Sequence, residues 1–155
     1  MKKLFNVLGI IFAVIIVVAI IAAAIFIPRT FKLQGAAITY IQDAVPKIVT
    51  NWNSQALVDR ATPELMSASK SREQVDRLFG MFRKLGSLKR LDKPVGTVTS
   101  TAFTGTGTAT VGNFIIKGEF EKGPATIKIQ LRRVNDAWKI NGFRVDSNAL
   151  LPPAT

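Results

Sequence analysis

Trp138-Lys-Ile-Asn-Gly-Phe-Arg-Val145 changes its apolar parity part-way along. Trp138, Ile140 and Gly142 fall on one parity, Phe143 and Val145 on the other. Side chains alternate across a strand with a period of two, so a slip of parity at a glycine predicts a β-bulge. Such a bulge keeps both apolar pairs on one concave face. The stretch is read as the last strand of a curved antiparallel sheet.

Working back from it, the turn Asn135-Asp136 joins it to a strand with Ile127, Ile129 and Leu131 facing in and Lys128, Gln130 and Arg132 facing out. Lys122-Gly-Pro124 turns the chain before that strand. Thr108 to Glu121 reads as a long strand with Ile116, Gly118 and Phe120 on one face and Lys117, Glu119 and Glu121 on the other. Gly105-Thr-Gly107 is a turn that lacks the Gly-Lys-Ser/Thr of a phosphate loop. Val95 to Phe103 is the first strand, which gives four in succession after Pro94. Leu150 to Thr155 is a short tail.

Upstream the period is helical. Ala37, Ile41, Ala44, Val45, Ile48, Val49 and Trp52 recur at spacings of three and four and predict one apolar face. Pro46 inside that pattern predicts a kink or a split. Asn53-Ser54 offers a cap for a helix holding Leu57 and Val58. Thr62-Pro63-Glu64 places a capping hydroxyl, a proline at the first helical position and an acid in the first turn. Ser71-Arg-Glu-Gln74 matches a capping box and opens a helix carrying Val75, Leu78, Phe79, Phe82 and Leu85, with Gly86 placed to end it. The fold class predicted is α+β, with helices packed on a curved four-stranded antiparallel sheet.

At the other end of the chain, Leu4 to Ile27 contains no charged residue. As a helix, such a run spans roughly 36 Å, enough for a ~30 Å hydrocarbon core. The run is too long for a cleaved signal core and predicts one N-terminal transmembrane helix, an uncleaved signal-anchor ended by Pro28. Ala19 with Ala23 and Gly9 with Ala13 are spaced for close helix approach, as in a homo-oligomer. The expected organisation is an anchor over 1–28, a basic collar with Arg29 and Lys32 over 29–32, an α+β domain over 33–148 and a tail over 149–155. The expected location is the inner (cytoplasmic) membrane, single-pass, with the short basic N-terminus in the cytoplasm and the domain outside, periplasmic or extracellular.

The chain of 155 residues carries 21 Lys plus Arg against 10 Asp plus Glu. The excess favours an anionic partner, whether membrane lipids, nucleic acid or an acidic protein. Cysteine and histidine are both absent. Disulfides, thiolate chemistry, imidazole triads and histidine metal sites are therefore excluded. Arg83, Lys84, Lys89, Arg90 and Lys93 gather after the predicted helix end and form a candidate patch for an anionic partner. Without interleaved aromatics they do not suit nucleic acid. Tyr40, Phe103, Phe120, Trp138 and Phe143 are candidates to line a cavity in the sheet, although filling a core is the commoner use of such residues.

A helix pair, a helix ending in Leu85-Gly86 and long meander strands closing on Trp138 to Val145 resemble the cystatin-like or nuclear transport factor 2-like superfamily. The resemblance covers about Leu33 to Ser147. It implies a cone-shaped sheet, and it spans isomerases, dehydratases, small-ligand binders and membrane-anchored assembly subunits. The carboxylates here lie at polar positions and no two are spaced for acid-base work. The function expected is a non-enzymatic, membrane-anchored interaction or assembly subunit of an envelope complex, without cofactor or metal. The alternative is a binding module for a small hydrophobic ligand in the sheet cavity.

Overall fold

The computed structural model describes the backbone of residues 2–69, 71–103 and 107–151, and the side chains at 11–22, 31–69, 71–102 and 107–151. The chain divides into two compact units, Met1–Gly35 and Ala36–Thr155. Helix α1 (Lys2–Val49) contributes its N-terminal part to the first unit and its C-terminal part to the second.

The first unit corrects the membrane expectations. Among the described residues no helix is long and apolar enough to cross a membrane. Of the run Leu4 to Ile27, side chains are described only over 11–22. As a helix that portion rises about 18 Å, short of a ~30 Å hydrocarbon core. The remainder, with Gly9 and Ala23 of the small-residue spacings, lies outside the described side chains. A transmembrane signal-anchor, a single-pass inner-membrane location and a periplasmic domain are therefore not supported. The predicted stop at Pro28 is also corrected, since α1 continues through it.

In the second unit, Ala37, Ile41, Ala44, Val45, Ile48 and Val49 form the buried face of α1, as their spacing predicts. The helix does not split at Pro46. A proline removes the bond to the carbonyl four residues back, here that of Gln42, whose side chain lies on the exposed side of the helix. Pro46 still accepts from Thr50 N at 3.0 Å, in the last turn. Trp52 then adopts φ 47°, and Asn53 N reaches back to Ile48 O at 2.7 Å. A bulky residue in the left-handed region costs about 1–2 kcal/mol. Burial of the indole offsets that cost: its ring lies 5.0 Å from Phe120 and 5.2 Å from Phe82.

Three capped helices follow. Asn53 caps α2 (Ser54–Val58), Thr62 caps α3 (Pro63–Ala68) and Ser71 caps α4 (Arg72–Phe82), each side chain accepting from a backbone N–H. A 3-10 turn at Arg83–Leu85 ends on Gly86 with φ 77°. Glycine is required there twice over, because a Cβ would also collide with the Glu121 carboxylate.

The sheet has five antiparallel strands, not four. They are β1 (Leu88–Leu91), β2 (Val95–Phe103), β3 (Gly107–Phe120), β4 (Gly123–Val134) and β5 (Ala137–Asp146). β3, β4 and β5 are consecutive neighbours, while β1 and β2 share one edge of β3. β1 pairs with its last residues, Gly118 to Phe120, and β2 with Gly107 to Ile115. β1 escapes a sequence reading because a register shift between Leu88 and Arg90 hides the period of two in a charged stretch. Asn135 and Asp136 both take positive φ in the β4–β5 hairpin, as a primed turn requires.

The predicted bulge is present. Gln130 pairs with Gly142 and Leu131 with Ile140, leaving Asn141 unmatched. Trp138, Ile140 and Val145 are consequently buried with Phe114, Ile116, Phe120, Ile127, Ile129 and Leu131 on one face. Lys117, Glu119, Lys128 and Arg144 project from the other. The β5 edge is partly covered, because Thr62 N donates to Ile140 O and Ile140 N to Arg60 O, both at 2.8 Å.

Candidate functional site

The two sets of candidate residues have different fates. Of the aromatic set, Phe120 is buried with its ring stacked on Trp52. Phe143 stacks on Phe79 at 6.1 Å, and Trp138 is buried at the start of β5. These rings fill core positions. The side chain of Phe103 lies outside the described residues. Tyr40 is half-buried, and its hydroxyl is enclosed without a hydrogen-bond partner among the described residues. Burial pushes its pKa up; Arg60 opposes that shift and Asp43 adds to it.

The basic set lies on consecutive elements. Arg83 and Lys84 sit in the 3-10 turn, Lys89 and Arg90 on β1, and Lys93 in the break before β2. All five are exposed. They are not electrostatically equal. Arg90 is neutralised by Glu119 at 3.0 Å and Asp92 at 3.7 Å. The Arg83 guanidinium donates to Trp52 O at 3.5 Å. Lys84, Lys89 and Lys93 make no ion pair among the described residues.

Register adds two lysines that sequence spacing could not place. Lys117 O accepts from Asp92 N at 2.8 Å, which brings Lys117 beside the Asp92–Pro94 break. Lys122 N donates to Leu85 O at 3.0 Å, which brings Lys122 beside the turn carrying Lys84. Both are exposed and make no ion pair among the described residues. The result is a basic edge built from the 3-10 turn, β1 and the C-terminal half of β3. No family model matches the chain, and no curated protein matches it.

Most of the acids are already paired. Seven of the ten, Asp43, Glu64, Asp76, Asp92, Glu119, Asp136 and Asp146, sit in ion pairs. Lys128 and then Arg144 hold the Asp146 carboxyl below its usual range by hydrogen bonding. The Glu64 carboxyl is held low chiefly by its own backbone N–H in the first turn of α3, with Arg132 assisting. Among the described residues no three acids cluster as a metal site would require. What remains uncompensated is positive charge, and much of it lies on this edge.

Proposed function

We propose that the unit Ala36–Thr155 is a non-catalytic interaction module, a subunit of a larger assembly that takes an acidic protein surface on its basic edge. Lys84, Lys89 and Lys93 are the primary contacts, flanked by Lys117 and Lys122. The observation that carries this reading is the uneven pairing of charge. The unit holds 17 Lys plus Arg against 10 acids; five of those acids pair with cations away from this edge, and the two that pair on it both serve Arg90. Exposed cations clustered without counter-charges attract an anionic surface over about a Debye length and raise its on-rate.

The arrangement of helices on one face of an antiparallel sheet, with a bulged closing strand, supports the resemblance to the cystatin-like and nuclear transport factor 2-like superfamily. A fold of that kind does not by itself choose a function. The packing of Phe120 on Trp52 and of Phe143 on Phe79 weighs against a ligand cavity among those rings. The test is binding of a fluorescent poly-L-glutamate to the full chain, compared with a variant in which the edge lysines are reversed.

A further inference from the structure

On the outer face of the sheet, one cross-strand row runs Val95, Ile115, Lys128, Arg144. Val95 opposes Ile115, Ile115 opposes Lys128, and Lys128 opposes Arg144. The row is two apolar side chains followed by two cations. Val95 is 74% exposed and Ile115 46%, conspicuous for β-branched residues on a sheet. Beside them lies a groove of about 630 Å³, whose lining includes Asn113, Gln130 and Gly142. Gly142 leaves its position in the next row without a side chain, which deepens the groove towards Arg144.

The groove floor is held rigidly. Thr62 Oγ1 donates to Asn141 Oδ1, Asn141 Nδ2 to Gln130 Oε1, and Gln130 Nε2 to Asn113 Oδ1, at 2.9, 2.7 and 3.1 Å. The two cations share a single counter-charge. Asp146 accepts from Lys128 Nζ at 2.9 Å and from Arg144 Nε at 2.7 Å. Arg144 is thereby engaged only through Nε, and its two terminal nitrogens have no partner among the described residues. They form the outward fork that takes a carboxylate with two parallel bonds.

We infer that this groove docks an acidic peptide segment of a partner protein. An apolar side chain of that segment covers Val95 and Ile115, and a carboxylate about 10 Å away, two strand spacings, meets Arg144. Charge complementarity selects the occupant: an apolar anchor alone would leave the cations unused, and a second copy of this chain would bring like charge to like. The groove adjoins the basic edge at Lys93 and Lys117, but Ile115 and Arg144 lie outside that edge, so their variants test this inference apart from the proposed function.

The experiment uses the full chain with methyl-labelled Val and Ile. It is titrated with a helical peptide carrying Leu and Glu about 10 Å apart on one face, and with its Lys-for-Glu counterpart. The expected result is saturable shifts of the Ile115 and Val95 methyls with the acidic peptide only. Arg144→Gln and Ile115→Thr should each weaken binding about tenfold. Reversal of Lys84 and Lys89, the edge lysines away from Val95, should leave it unchanged. Arg144 is exposed, so Arg144→Gln keeps the test decisive should Ile115→Thr fail to fold. The inference is overturned by equal binding of the basic peptide, by no methyl shift, or by weakening through the edge reversals alone. It is also overturned by shifts that follow protein concentration without peptide, the mark of a second copy, or by laurate shifting these methyls where the acidic peptide does not.

Discussion

Thr62 Oγ1 donates a hydrogen bond to Asn141 Oδ1 at 2.9 Å, across 79 positions of sequence. The same oxygen accepts from Leu65 N at 3.2 Å as the cap of α3, and Thr62 is fully buried. One hydroxyl therefore starts a helix and fastens the bulged residue of β5. Thr62→Ala removes a cap and deprives the half-buried Asn141 amide oxygen of its donor, for a loss of about 1–2 kcal/mol. Urea denaturation should show a lower midpoint with an unchanged slope, and Thr62→Ser should recover most of it.

Deleting Asn141 tests the bulge itself. Without the extra residue the ladder from Gln130 to Leu131 becomes regular and Trp138, Ile140, Phe143 and Val145 share one parity, so the core face is kept while the Asn141 bonds to Thr62 and Gln130 are lost. Losing the two side-chain hydrogen bonds of Asn141 costs about 1–3 kcal/mol. The deletion variant should keep near-ultraviolet circular dichroism and unfold cooperatively at a lower urea midpoint.

Much of this was legible in the sequence, and the failures share a cause. The caps Asn53, Thr62 and Ser71, the stop at Gly86, the strand Val95–Phe103 and the parity slip at Gly142 are local signals, set by residues within a few positions of one another. β1 was not legible, because its pairing with β3 is set by Phe120 and Gly118, some thirty residues on, and a bulge blurs its alternation. At Pro46 the alternative of a split fails for the opposite reason: a local penalty is outweighed by burial of the face bearing Ile41, Val45 and Ile48. The candidate edge was half legible. Five of its cations are neighbours in sequence, but Lys117 and Lys122 join only through register, and the neutralisation of Arg90 depends on Glu119 across the ladder.

Tyr40 carries a buried hydroxyl with no partner among the described residues. Tyr40→Phe removes a polar atom that folding dehydrates without return, so stability should be unchanged or raised by up to about 1 kcal/mol. Because burial raises its pKa, the folded state holds the phenolic proton more tightly than the unfolded state. The associated stability is complete below the ordinary tyrosine value and is lost as pH rises through the folded one. Tyr40 is the sole tyrosine, so the tyrosinate absorbance band reports this titration alone. Tyr40→Phe should lose less stability at alkaline pH.

Asp146 gives the acid counterpart. Its lowered pKa, due first to Lys128 and then to Arg144, contributes stability above the unfolded carboxylate value. That stability is lost as pH falls through the folded value. Asp146→Asn should flatten the acid limb of the stability curve measured by thermal melting. By releasing both cations, the same change should also tighten binding of the acidic peptide at the outer groove.

Docking of an acidic protein surface on the edge carrying Lys84, Lys89 and Lys93 can be measured directly. The direct measurement is fluorescence anisotropy of labelled poly-L-glutamate with three proteins: the unaltered chain, Lys84→Glu/Lys89→Glu/Lys93→Glu, and a control of equal net charge, Lys47→Glu/Arg77→Glu/Lys139→Glu. The account predicts salt-sensitive binding by the first, a loss of at least about tenfold in the second and a much smaller loss in the control. Equal losses in the two variants would contradict it, because the attraction would then belong to net charge and not to this edge.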